Sequence, residues 1–155
     1  MTATELELDT RRERAMADVE RQLAVVVQRA RARWRRLAFA IHPELQPIGY
    51  KILALLVDGG PAPASHLVEE LATDKSTVSR QVAQLVQLGL VQRTTDPQDG
   101  RVRLLAATPT AAVRLIEVRR SSLADLRAHL ASWDEDDLAT LAGLLTRLTG
   151  ARADG

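Results

Sequence analysis

Cysteine is absent from the 155 residues of this chain, which removes disulfides, thiolate metal sites and thiol-based redox sensing together. A reducing cytoplasm suits such a composition. Net charge is nearly absent as well: 21 Lys and Arg against 20 Asp and Glu leave +1, so no global field draws the chain to nucleic acid or to a membrane, and any electrostatic footprint has to be local. The opening "MTATELELDTRRER" lacks an apolar signal region, and no later run approaches the roughly 18 to 20 apolar residues that a membrane span needs. The expectation is a soluble, cytoplasmic protein with no membrane partner. Enzyme signatures are missing too. There is no Gly-x-Ser-x-Gly, no phosphate-cradling Gly loop and no His-acid pair beside a nucleophile, and Ser79 next to Arg80 has no general base nearby. An enzyme is therefore not expected, and no cofactor is implied.

What is present is 46% hydrophobic content, ample for the core of one compact domain or two small interleaved units. The charges are unevenly placed: residues 1–41 hold nine Arg and six acids, whereas 42–107 hold six cations and seven acids. Helical periodicity is strongest at the two ends. From Arg11 to Ile41, Leu23, Val26, Ala30, Trp34, Leu37 and Ile41 recur three or four apart, with Arg29, Arg31, Arg33, Arg35 and Arg36 between them, and His42-Pro43 ends the helix. A second helix from Thr110 carries Val113, Ile116, Leu123, Leu126 and Leu130. A third opens on the acids from Asp134, which suit a helix N-terminus, and carries the narrow seam Leu138, Leu141, Leu145 and Leu148. These terminal helices either fold back as an intrachain bundle or pair with a second copy. The shortness of the chain favours a homodimer.

The middle segment is built differently. "PIGYKILALLVDGG" predicts a helix with Ile52, Leu53 and Leu56 inward, stopped at Gly59-Gly60-Pro61, and "PASHLVEELATD" predicts another with Leu67, Val68 and Leu71 on one face. A third runs from Lys75 to about Leu88, capped by Asp74, with a core stripe of Val78, Val82, Leu85 and Val86. Two helices joined through a short turn at Thr73-Asp74 match a helix-turn-helix. Ser76, Thr77, Ser79, Arg80, Gln81 and Gln84 are expected to face outward, where Arg suits a guanine edge, Gln an adenine edge and the hydroxyls phosphates or bases. Taken alone, such a face is equally well a solvated one. "LVQRTTDPQDGRVRLLAA" then predicts a hairpin turning at Asp96 to Gly100 and returning through Arg101, Val102, Arg103 and Leu104, with Asp99 placed to hold Arg101 at the tip of a wing.

The whole stretch "TDKSTVSRQVAQLVQLGLVQRTTDPQDGRVRLLAATP" resembles the MarR family of bacterial transcriptional regulators. The likeness lies in the Thr-Val-Ser-Arg start of the recognition helix, the Leu-x-x-x-Gly-Leu-Val exit and the Asp-x-Arg-x-Arg wing. "AATPTA" replaces the family's usual Leu-Thr-Pro-x-Gly, and Gly100 a common Arg or Lys. The resemblance implies one MarR-like domain over 1–155, mostly α with a small β-hairpin wing. Residues 11–41 and 109–150 would form a helical dimerisation region, and 46–107 a winged helix-turn-helix lobe. Its DNA contacts would come from Lys75, Ser76, Thr77, Ser79, Arg80, Gln81 and Gln84 on the recognition helix and from Asp99, Arg101 and Arg103 on the wing. It also implies a repressor that binds a pseudo-palindromic double-stranded DNA operator as a homodimer and is released by a small aromatic or anionic effector. The effector pocket would lie near Trp34, Phe39, His42 and Tyr50, although a core role suits Trp34 and Phe39 better. The alternative is a winged-helix protein-interaction module without operator binding. Metal binding is not expected: His42 has only Glu44 near it, and His66 and His129 stand alone.

Overall fold

In the computed structural model, which describes residues 3 to 150, the described elements are α1 (Ala3–Ile41), α2 (Pro47–Asp58), α3 (Ala64–Leu71), α4 (Lys75–Gln87), β1 (Val91–Thr95), β2 (Arg103–Ala107), α5 (Pro109–Leu130) and α6 (Glu135–Thr149). The helices of the middle segment begin and end where local chemistry dictates. Pro47 fits the first position of α2, whose fixed φ suits a helix start and whose missing N–H costs nothing there. Gly59 closes α2 by donating its amide to the Leu55 carbonyl. Helix α3 stops at Ala72, which adopts the left-handed conformation at φ 45°, and only Thr73 and Asp74 then separate it from α4. At its far end α4 closes in a Schellman arrangement: Gly89, at φ +71°, donates to Val86 O and Leu90 to Leu85 O.

The two strands pair antiparallel, with Val91 opposite Ala107 and Thr95 opposite Arg103. The return strand begins at Arg103 rather than Arg101, because Asp96 to Val102 are spent on the turn. Asp96 donates its amide to Val102 O, Val102 donates to Asp99 O, and the Asp96 and Asp99 carboxylates take the amides of Gln98 and Arg101. Side chains that bond the backbone two residues on are what favour Asx turns at such sites. The hairpin is also pinned from the other side, since Ala62 and Leu105 exchange both backbone hydrogen bonds. Thr108 joins the hairpin to α5: its amide donates to Leu90 O, its hydroxyl donates to Gly89 O, and the same oxygen accepts the Ala111 amide.

The chain divides into two compact units, Met1–Leu115 and Ile116–Gly155. In the first, the core is Leu37, Ala38 and Ile41 from the end of α1, Ile52, Leu53 and Leu56 of α2, Leu67 of α3, Val78, Val82 and Leu85 of α4, Val91 and Leu105 of the hairpin, and Ala111 and Leu115 of α5. Val86, expected in the α4 stripe, is only half-buried. On the expected α5 stripe, Val113 and Ile116 are exposed, and the core takes Ala111 and Leu115 instead. Helix α1 starts at Ala3, well before Arg11. Its face continues outward from the core as Trp34, Val27, Val26, Val19 and Met16, all exposed. In the second unit no residue of α6 is buried, and Leu141, Leu144, Leu145 and Leu148 all face outward.

Candidate nucleic-acid interface

The first turn of α4 is organised by one carboxylate. Asp74 accepts from the Thr77 amide at 2.8 Å, from the Thr77 hydroxyl at 2.6 Å and from the Ser76 hydroxyl. Those donors, the Ser76 hydroxyl foremost and then the two Thr77 groups, hold the Asp74 carboxyl well below the ordinary aspartate range. Their protons are thereby committed, so Ser76 and Thr77 present lone pairs rather than donors to anything approaching the helix. Thr77 Oγ1 also takes a long contact from Arg80 Nη2 at 3.5 Å, which orients the arginine along the outer face. Ser76, Ser79 and Arg80 are exposed there, as expected, with Lys75 exposed beside them, whereas Thr77 is half-buried.

Gln81 and Gln84 do not share that face, and the expectation that they point outward is corrected. Gln81 is half-buried with its Oε1 enclosed and without a donor, 3.2 Å from where a Cβ on Gly49 would stand. Gln84 is half-buried and donates Nε2 to the Glu44 carbonyl at 2.9 Å. The cause is helical spacing. Gln81 falls three residues after Val78 and Gln84 one before Leu85, so both border the buried stripe rather than oppose it.

On the wing, Asp99, Arg101 and Arg103 are all exposed. Asp99 does hold Arg101, through the main-chain amide at 3.0 Å rather than through the guanidinium, which leaves the side chain to reach outward. Residues paired across an antiparallel ladder share one face. Arg93 (opposite Leu105) and Arg103 (opposite Thr95) therefore lie on the same side of the hairpin. Together with Lys75 and Ser79 they line a cleft of about 190 Å³ between α3, α4 and the hairpin, floored by Val68, Val78, Val82 and Leu105. Sequence reasoning missed Arg93. The period-2 alternation of the strand carried the signal, but it becomes legible only once the register is known. Three cations, Lys75, Arg93 and Arg103, thus face one cleft.

The four residues expected near an effector pocket have different surroundings. Tyr50 is buried, Trp34 is 38% exposed under the Lys51 Nζ at 4.4 Å from its ring centroid, and His42 Nδ1 accepts the Glu44 amide. Phe39 is 65% exposed, away from the buried Leu37, Ala38 and Ile41 face of α1. The core role expected of Trp34 and Phe39 is therefore corrected for both, and of the four residues only Tyr50 lies in the core. Among the described residues no three His, Asp or Glu side chains gather as a metal site, and no helix is long and apolar enough to cross a membrane.

Residues 45–102 match the MarR family model. The chain is 33% identical over 110 residues to the HTH-type transcriptional regulator YxaD of Bacillus subtilis (strain 168), a match that spans 71% of this chain and 77% of that protein. Its fold resembles a MarR family protein from Bacillus stearothermophilus (TM-score 0.75, 21% identity, 89% of this chain and 95% of that one). It also resembles wild-type apo MarR from E. coli (TM-score 0.62, 23% identity, 82% and 94%). A helix-turn-helix with an outward polar helix, a cationic hairpin beside it and this kinship lead to one conclusion: the chain belongs to the MarR family of winged-helix, DNA-binding transcriptional regulators, a class that is not enzymatic.

Proposed function

We infer that this protein is a cytoplasmic repressor that binds a pseudo-palindromic operator as a homodimer and is released by a small aromatic or anionic molecule. The observation that carries the reading is the run of exposed donors and cations from Lys75, Ser79 and Arg80 on α4 to Arg93 and Arg103 on the hairpin. In it, Arg80 reads a base edge in the major groove, while Ser76 and Thr77 accept from exocyclic amines. Lys75, Arg93 and Arg103 take phosphates, and Arg101 enters the adjacent minor groove from the wing tip. Residues 46–107 form the DNA-binding lobe, and 11–41 with 109–150 the dimerisation region. The exposed stripes of α1 and α6 support pairing with a second copy, because apolar rows of this kind are costly to leave in water.

The test starts from selection of duplexes out of a random library by the purified protein. The expected product is a two-fold sequence whose half-site centres lie about one helical turn apart, bound with an affinity that falls steeply with salt. Duplex binding that fails to enrich any sequence, or that ignores salt, overturns the reading and leaves a protein-interaction module. Aromatic carboxylates and phenols titrated with and without the selected duplex, with Trp34 and Trp133 fluorescence as the signal, test release. An inducer must bind more weakly when DNA is present, by the same factor by which it weakens DNA binding.

A further inference from the structure

Helix α4 is tied to a part of the lobe that is remote in sequence. Gln84 Nε2 reaches the main-chain carbonyl of Glu44 at 2.9 Å, in the corner between α1 and α2. The amide of the same Glu44 donates to His42 Nδ1 at 3.2 Å, so one residue is gripped at its N–H by the foot of α1 and at its carbonyl by α4. The corner is tight: His42 donates to Ala38 O at 3.0 Å and Leu45 to His42 O at 2.9 Å. Just beyond it, α4 closes on α2 where there is no side chain. A Cβ on Gly49 would stand 2.8 Å from Leu45 Cδ1, 3.2 Å from Gln81 Oε1 and 3.7 Å from Leu85 Cδ2.

We propose that Gln84 is a positioning residue for DNA reading, whose amide clamps the recognition helix to the α1–α2 corner and makes that corner the place where a change at the foot of α1 is passed to α4. The proposal rests on α4 being the helix that reads DNA. A glutamine that reads adenine must offer its amide N–H and its carbonyl together to the base edge. Gln84 has committed one of its two amide N–H groups to a fixed main-chain acceptor, which ties the side chain to the corner between α1 and α2 rather than leaving it free to meet a base edge. The bond depends on no charge and on no side chain of Glu44, so its strength follows the geometry of the corner alone. Any movement that turns the Glu44 carbonyl away releases one side of the helix, and Leu85 and Gln81 on Gly49 become the pivot that remains.

The experiment compares the full-length protein with Gln84→Met, which keeps length and bulk but lacks the donor, and with Glu44→Ala and His42→Ala. Binding is measured well below the melting temperature, on the selected duplex and on its single-base-pair variants. Gln84→Met is expected to weaken binding about threefold to tenfold, the size of one neutral hydrogen bond, with the rank order of the base-pair variants unchanged. Glu44→Ala is expected to bind as the parent does. His42→Ala and Gln84→Met combined are expected to cost less than the sum of their separate losses, because both act through Glu44. A changed preference at one base pair makes Gln84 a base reader and overturns the proposal. Unchanged affinity, or strict additivity with His42→Ala, overturns it equally. Amide exchange on the DNA-free protein separates this failure from failure of the DNA reading, since Gln84→Met should speed exchange across residues 81–88 whatever α4 binds. Unaltered exchange there means that no clamp exists.

Discussion

The Asp74 carboxylate takes three donors from the first turn of α4, and its folded pKa lies below its unfolded one. The stabilisation that results is fully present above the ordinary aspartate range and is lost as pH falls through that range toward the depressed value. Thermal melts of the parent should therefore drop below about pH 4 more steeply than those of Asp74→Asn, which keeps an acceptor but does not titrate. Parallel acid limbs for the two proteins would contradict this. Arg80, oriented by the Thr77 hydroxyl, carries a separate expectation. Arg80→Ala should cost about 1 to 3 kcal/mol and relax preference at one base pair per half-site, whereas a lost phosphate contact weakens all duplexes alike. Gln81 differs from both. Its enclosed oxygen has no donor, so Gln81→Met should leave the melting temperature unchanged or raise it, and should leave base preference intact. A variant that lost preference at one base pair would return Gln81 to the reading face.

Among the elements, those with local punctuation were readable in advance. Asp74 before α4, Gly89 after it and the Asp-rich hairpin turn each bond the backbone of near neighbours, and Pro47 opens α2 by its fixed φ, so neighbouring residues carry the whole signal. Gly89→Ala tests one of them: at φ +71° a Cβ costs about 1 to 2 kcal/mol, read as a lower denaturation midpoint with unchanged slope. What was misread depends on distant partners. The polar ring of α4 looks uniform in sequence, and only Glu44 and Gly49, some forty and thirty residues upstream, show that Gln84 and Gln81 lie against the lobe rather than on the outer face. The α5 stripe was misassigned for a related reason: Ala111 is small enough to look neutral, yet it fills the lobe core, while the larger Val113 stays exposed. The pairing of Ala62 with Leu105 left no periodic trace, since a bridge one residue long between two prolines has no alternation to display.

At the scale of the whole molecule, each of the two units keeps an apolar stripe in water: Met16, Val19, Val26 and Trp34 in the first, Leu141, Leu144, Leu145 and Leu148 in the second. If these rows meet a second copy, the unaltered protein should scatter light as a dimer at micromolar concentration. Leu141→Asp, which sets a charge in the row, should shift that mass toward the monomer and lower the melting temperature in a concentration-dependent way. A well-folded monomer of the parent chain would end the proposal of dimerisation. The division of labour within the first unit is legible from sequence only in outline, because α1 and the start of α5 share one core with the lobe they flank.

The double anchorage of the hairpin bears on how the protein ages under proteolysis. The exposed arginine at the wing tip is a natural trypsin site, yet the strand that follows is fastened to Ala62 on one edge and to β1 on the other, and Thr108 fastens its far end. A single cut after Arg101 should therefore leave a nicked species in which both fragments stay associated through chromatography and separate only in denaturant. Such a species would lack an intact wing tip while retaining the α4 face and the cations at positions 93 and 103. Limited digestion thus offers a way to subtract the tip without a substitution, on protein that has already folded.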